Sequence, residues 1–501
     1  MTTSHADADA ITGVRKPDPI SSEQSPTSDG ADERSTPRPL VPGWMPFTLV
    51  LGLVAMAARQ GLRPIADPDT WWHLRLGDEI WHTWNLTDPA PWTRFATEPW
   101  VTTQWLPEVV ASRFAHLFGL AGVVWLVSAG LVAITAVLYL VCRREADVLG
   151  AAMATGMGLL GMSATLTPRP QLVSFLLLLI VTSAWLRTAK DLRPRWWLIP
   201  LSWLWACSHG MWFSGVIVGA VVVVGLVLDG RIRGRASLRM LSIPVSSLLV
   251  AAVTPTGPAL LIAPFQVGGI TEYITEWAPP SIHDLSPAVT AAMIAFVALV
   301  WTRGRRVSWT NISVLLVATC WALLSARTVT VGAAMTAPLL AAAIQSLLPE
   351  HAPAASRREK TALGVGVLAC LAVVMLLLPG SVETPANVPN GLNAALDKVP
   401  PHTVVFNDSM LGGWLLWRHP RLEPVIDGRA EAFPKAHFEG YIKASQVRDG
   451  WQDFLETTSS TYALVELHSP LATALDERLH WRSLGRAGGY VLLAAPSERL
   501  R

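Results

Sequence analysis

Ten apolar stretches, most of them near the about 20 residues that carry a helix across a bilayer, decide what this chain can become. They run roughly 45–62, 119–141, 147–165, 171–187, 196–228, 240–254, 287–302, 309–325, 328–348 and 361–379. With 51% hydrophobic and 15% charged residues among 501, the apolar surface is gathered into spans, so the chain reads as an α-helical polytopic membrane protein. A formal net charge of +2 points to no nucleic acid and no acidic partner. Cys142, Cys207, Cys320 and Cys370 lie in or beside the spans without a CxxC pair, which gives neither a disulfide framework nor a thiolate metal site.

Basic residues fix the sidedness. Arg143 and Arg144, the 187–195 and 231–239 loops, Arg303 to Arg306, and Arg357 to Lys360 mark cytoplasmic loops, because retained loops concentrate Lys and Arg. An even number of crossings must separate 187–195 from 231–239. The 196–228 stretch is therefore two short helices meeting at Ser208-His209-Gly210, or a re-entrant hairpin, for about eleven spans in all. Residues 1–43, rich in Ser, Thr, Asp, Pro and Ala, read as a disordered cytoplasmic tail. Residues 44–380 form the membrane domain with an outer loop at 63–118, and 381–501 form a small extracytoplasmic α/β domain with strand-like runs at 403–406, 424–426, 462–466 and 490–494. The parity places the N-terminus in the cytoplasm and the C-terminal domain outside.

The unusual polar groups collect on the outer face. Asp67 and Asp69 flank Pro68, whose fixed φ presents two carboxylates close together. Such a pair can share a divalent cation or divide acid and base roles, although an Asp before a helix also serves as an N-cap. Residues 70–84 suit a short interfacial helix. Trp71 and Trp72 abut the pair and offer flat faces to a sugar or prenyl chain, while tryptophan at headgroup level is ordinary in any membrane protein. His73 follows directly. Arg169 and Arg327 are isolated outer arginines that can grip a phosphate bidentately or simply snorkel. His209 stands at the helix break, either functional or hydrogen-bonded across helices. Glu272, Glu276, His283 and Asp284 make a second acidic group. In the tail, Asn407-Asp408-Ser409 and Asp427-Gly-Arg-Ala-Glu431 fall at strand ends, where ligand groups and ordinary turns both occur.

Taken in order, Asp67-Pro-Asp-Thr-Trp-Trp-His-Leu with Gly77, Gln104-Trp-Leu-Pro-Glu108, Arg169-Pro-Gln171, Ser208-His-Gly210 and Asp427-Gly-Arg429 resemble the GT-C superfamily of polytopic glycosyltransferases. That class includes protein O-mannosyltransferases, lipid A aminoarabinose transferases and oligosaccharyltransferases. The likeness is greatest to a bacterial group of GT-C-like membrane proteins, covers about 44–430 and implies a bacterial inner (plasma) membrane. It implies transfer of a sugar from a polyprenyl-phosphate donor to a glycan, lipid or protein acceptor of the cell envelope. It also implies Asp69 or Asp67 as the catalytic carboxylate, Arg169 or Arg327 on the donor phosphate, His73, Trp71, Trp72 and His209 around the substrate, and magnesium or manganese on Asp67 and Asp69. The sequence departs from that pattern in having no second DxD in a later outer loop, where Glu272 and Glu276 are loose substitutes. A transporter or flippase of a lipid-linked substrate centred on His209, and a non-catalytic envelope assembly protein using its C-terminal domain, are the rival functions.

Overall fold

A computed structural model of the chain describes residues 44–86, 92–263, 275–304, 307–348, 355–378, 382 and 384–496. The 1–43 tail, Asp88, Glu272 and much of the 255–286 loop lie outside the described residues. The membrane region comprises α1 (Trp44–Gly61), α2 (Asp69–Thr83), α3 (Trp105–Cys142), α4 (Val148–Met162), α5 (Gln171–Asp191), α6 (Leu198–Ala206), α7 (Phe213–Leu228), α8 (Arg235–Leu249), α9 (Leu285–Arg303), α10 (Trp309–Leu324), α11 (Val329–Ser346) and α12 (Arg357–Leu377).

Among the described residues eight helices are long and apolar enough to cross a membrane: α3, α4, α5, α7, α8, α9, α11 and α12. The chain is thus built as a multi-pass membrane protein. Of the remaining apolar helices, α1 has 18 residues and α10 has 16. The 196–228 stretch divides at Cys207-Ser208-His209, leaving α6 with nine residues, about 14 Å of helix, beside α7. Non-helical backbone at Gly119 (φ 65°) separates an outer segment of α3 from its spanning part.

Polar caps set several helix starts. Asp147 accepts from Gly150 N–H at 2.7 Å, and Ser308 and Ser356 do the same for α10 and α12. The spans differ in how far protein surrounds them: α5 and α11 are 78% and 83% buried, whereas α12 is 11% buried and faces outward. At its start α12 is tied to α3 by Glu359, which accepts from Tyr139 Oη at 2.6 Å and from Arg143 Nε at 2.9 Å.

The C-terminal region adds α13 (Asn393–Leu396), α14 (Gly412–Arg418), α15 (Lys435–Ser445), α16 (Trp451–Thr457) and α17 (Pro470–Glu477). Its strands are β1 (Val404–Asn407), β2 (Glu423–Pro424), β3 (Tyr462–Glu466), β4 (Arg482–Ala487) and β5 (Tyr490–Ala494). They form one sheet in the order β2-β1-β3-β5-β4, with β1 parallel to both neighbours and β5 antiparallel to β3 and β4. Strand β4 escapes sequence pattern because Arg-Ser-Leu-Gly-Arg-Ala is a half-exposed edge without β-branched residues.

Helix α2 forms where the sequence predicts it, but not as an interfacial helix. Trp71, Trp72, Leu74, Leu76 and Ile80 are all buried, because α2 lies between α3 and α14 rather than against lipid. The core of the bundle runs without a break from Leu131 and Phe175 through Trp71 and Leu74 to Leu411, Trp414 and Leu415.

Candidate active site

The site is assembled at the N-terminal ends of the two most enclosed helices, since Arg169 precedes α5 and Arg327 precedes α11. Asp69 is the first residue of α2 and does not cap it. Asp67 takes the capping part instead, accepting the Asp69 N–H on Oδ1 at 3.0 Å. Asp69 is thereby left with both oxygens for other groups. Its Oδ1 accepts from Trp72 Nε1 at 3.0 Å, and its Oδ2 lies 3.0 Å from Arg169 Nη1. Asp67 Oδ2 accepts from Arg169 Nε at 2.7 Å.

The same guanidinium reaches a third carboxylate. Arg169 Nη1 is 2.9 Å from Glu276 Oε1, and Glu276 Oε2 is 3.3 Å from Arg327 Nη1. Arg327 Nη2 donates to Gln171 Oε1 at 3.3 Å. Three carboxylates and two arginines therefore form one chain of charges, in which Glu276 bridges the two cations as an anionic ligand would.

Burial pushes the Asp69 carboxyl up to about 6, against the opposing pull of Arg169 and with a further upward push from Asp67. Burial opposes charge on Arg169, but Asp69, Asp67 and Glu276 outweigh it and hold the guanidinium above its ordinary value. Asp69 binds its proton more tightly in the folded chain than in the unfolded one. Its contribution to stability is therefore present below about pH 4 and lost as pH rises through about 6.

The other sequence candidates are placed differently. Trp72 positions Asp69. Trp71 does not reach the site: it is 1% exposed and packs on Trp417 at 4.9 Å between ring centres, so it joins α2 to α14 and presents no open face to a substrate. His73 is buried one turn along α2, close enough to Arg169, His209 and Arg327 that their charges act on it. His209 accepts the Met211 N–H on Nδ1 at 3.2 Å and caps the turn before α7.

The Asp427-Gly-Arg-Ala-Glu431 run, marked in the sequence as a strand-end group, gains a partner that sequence reasoning did not supply. Asp427 and Arg429 form a buried ion pair, with Arg429 Nη2 at 2.7 Å from Asp427 Oδ2 and Nε at 2.9 Å from Oδ1. The guanidinium also lies against the rings of Trp92 and Trp100, 4.5 and 5.7 Å from their centres. Between the paired residues, Gly428 is pressed onto the site. A Cβ there would stand 2.2 Å from Asp69 Oδ1 and 2.6 Å from Trp72 Nε1, so only glycine fits. The outer loop follows the same surface, where Thr93 donates to the Pro424 carbonyl at 2.8 Å and Arg94 pairs with Glu423. The clustering of aromatics at 92–105 was the available signal, and it pointed to the membrane surface as readily as to a guanidinium.

An apolar groove opens between α2, α3 and α5. Val123, Val127, Leu172 and Leu176 line its body, and Thr70, His73 and Arg169 stand at its polar end. Asp67 and Asp69 do not fit a divalent cation in this arrangement. All four of their oxygens already accept from Trp72, Arg169 or the Asp69 N–H, and among the described residues no three His, Cys, Asp or Glu side chains are placed so that they could hold a metal ion. Arg169 would have to withdraw before the pair could bind one.

No family model and no curated protein matches the sequence. Solved structures do match the fold. The archaeal oligosaccharyltransferase AglB from Archaeoglobus fulgidus, in complex with an inhibitory peptide and a dolichol-phosphate, is 11% identical with a TM-score of 0.57, over 84% of this chain and 69% of that one. A structure of the A. fulgidus oligosaccharyltransferase with Zn and sulfate is 13% identical with a TM-score of 0.50, over 83% and 68%. Apo ArnT from Cupriavidus metallidurans is 16% identical with a TM-score of 0.50, over 91% and 98%. At these identities the likeness is one of architecture: the chain shares its fold with these solved structures.

Proposed function

We propose that the protein is a membrane glycosyltransferase that moves a sugar from a polyprenyl-phosphate donor to an extracytoplasmic acceptor, with its N-terminus in the cytoplasm and residues 381–501 outside. The observation that carries this is the apolar groove ending on Arg169 beside Asp69. A prenyl chain suits the Val and Leu walls, and a phosphate at its head would meet the guanidinium that Glu276 now shares with Arg327.

In the proposed reaction Asp69 takes the proton of the acceptor hydroxyl as that oxygen bonds to the anomeric carbon. The bond from that carbon to the phosphate oxygen breaks, and its electron pair leaves with the lipid phosphate, held by Arg169 and Arg327. One displacement inverts the anomeric centre. Asp67 positions Arg169 and the start of α2, and no step runs through a metal. Among acceptor classes a lipid is favoured by a second apolar hollow between α1, α3 and α4. His209 sits among the groups around His73 and Arg327, which weighs against a transport site centred on it at mid-membrane.

Purified protein in lipid, given a panel of labelled polyprenyl-phosphate sugars and an acceptor-bearing membrane fraction, tests the proposal. It predicts loss of sugar from at least one donor, and no consumption of any donor overturns it. Two further results are expected of the same assay. Arg327→Gln, at a partly exposed position, should raise KM for the donor about ten-fold while leaving the fold intact, the loss of about one charge-assisted contact. The kcat profile should rise with pH through about 6, because Asp69 accepts a proton only when ionised. A rate independent of pH from 5 to 8 would remove Asp69 as the base.

A further inference from the structure

His73 lies four residues after Asp69, on the same side of α2 by helical spacing. Its Nδ1 is 2.7 Å from Glu108 Oε1, with Gln104 Nε2 at 3.5 Å from the same nitrogen. Glu108 is 0% exposed, and its Oε2 is buried without a hydrogen-bond partner. Among the described residues no lysine or arginine is paired with it, and an ionised carboxylate left half bare in such a place is costly. Both His73 and Glu108 line the apolar groove near Arg169. The reaction outlined above uses neither.

That reaction also leaves a charge unattended. A phosphodiester donor carries one negative charge and its leaving phosphate gains a second, beside Asp67, Asp69 and Glu276, which among the described residues are paired with Arg169 and Arg327. A proton supplied to the departing oxygen removes that excess.

We propose that His73 and Glu108 act as one unit that protonates the leaving lipid phosphate, an assignment that rests on the glycosyltransferase proposal. As the bond from anomeric carbon to oxygen breaks, its electron pair passes to the phosphate oxygen and His73 Nε2 gives that oxygen its proton. Glu108 returns a proton to Nδ1 and ends as a carboxylate. The lipid departs as a singly charged phosphate monoester. Asp69 has meanwhile gained the acceptor's proton, so the site holds as many protons as before, and exchange with water resets both groups. Burial, with Arg169 nearby, pushes the His73 imidazole well below its usual range, consistent with a neutral ring that passes a proton on and does not store charge.

The test compares wild type, Glu108→Gln, His73→Gln and the double variant, reconstituted in lipid with the labelled polyprenyl-phosphate sugar that wild type consumes fastest. Binding of sugar-free polyprenyl phosphate is measured in parallel. Glutamine at 108 can still hydrogen-bond to Nδ1 but has no proton to transfer. Each single variant is expected to lose about 10²-fold in kcat, with KM and lipid-phosphate affinity within two-fold of wild type. The double variant should lose no more, because the two groups act together. Full activity in the single variants, losses that multiply in the double, or a raised KM with unchanged kcat would each overturn the assignment while leaving the transferase standing. If Glu108→Gln does not fold, His73→Gln decides by the same kcat and KM criteria. Wild type that neither consumes a donor nor binds polyprenyl phosphate removes both proposals together.

Discussion

Asp69→Asn is expected to lower kcat for sugar transfer about 10³-fold, within the range that removal of a general base produces. The amide keeps an oxygen to accept from Trp72 Nε1 and nearly the same volume, so α2 should start as before and the protein should fold and bind the donor. What disappears is the lone pair that takes the acceptor's proton, together with one of the three charges around Arg169. Asp67→Asn separates these two effects. It removes a charge from Arg169 but retains an acceptor for the Asp69 N–H, and its expected loss is about ten-fold. Equal losses in the two variants, measured as donor consumption at saturating lipid, would mean that charge on Arg169 and not proton transfer is what Asp69 provides.

Gly428→Ala is the second large effect, expected to lower turnover on the order of 10²-fold, since an ångström of misplacement at a reacting group costs about that much. The new methyl would overlap Asp69 Oδ1 and Trp72 Nε1, and the backbone of 428 cannot retreat because Asp427 and Arg429 are buried and paired on either side. The side chain of Asp69 has to move instead. Gly364→Ala, in the outward-facing α12 with open space around it, is the control and should be silent. If Gly428→Ala turns over normally and Asp69→Asn does not, the C-terminal region is a neighbour of the site and not a part of it. The assembly-protein alternative makes the opposite forecast: Asp69 dispensable, Asp427 and Arg429 required.

The spans were legible because their apolar runs and intervening arginines report on a bilayer whatever the tertiary contacts are. Asp67, Asp69, Arg169 and Arg327 could be named together because charged groups at the ends of spans are few and one topology put them on one face. Glu276 was visible only as one member of a loose acidic group, since nothing in a loop sequence says which carboxylate will bridge two arginines. Trp71 and Trp72 are adjacent and alike in sequence. Helical geometry turns one toward α14 and the other toward Asp69, a distinction that depends on what packs against α2. Gly428 falls in a run the sequence marks, but the need for glycine there could not be read, because it lies in the residue that position touches.

That contact sets an order of events in synthesis. Thr93 and its partner carbonyl at Pro424 are 331 positions apart, and Gly428 closes on Asp69 from the same side of the chain. Such distant pairings form late. A ribosome that has released the 63–118 loop has still to make every later span and the C-terminal region before that loop meets its cover. Until then the carboxylate at 69 lacks the surface that fixes it. A chain stopped short at α12 would hold the spans and both arginines, yet leave the acidic pair bare to solvent.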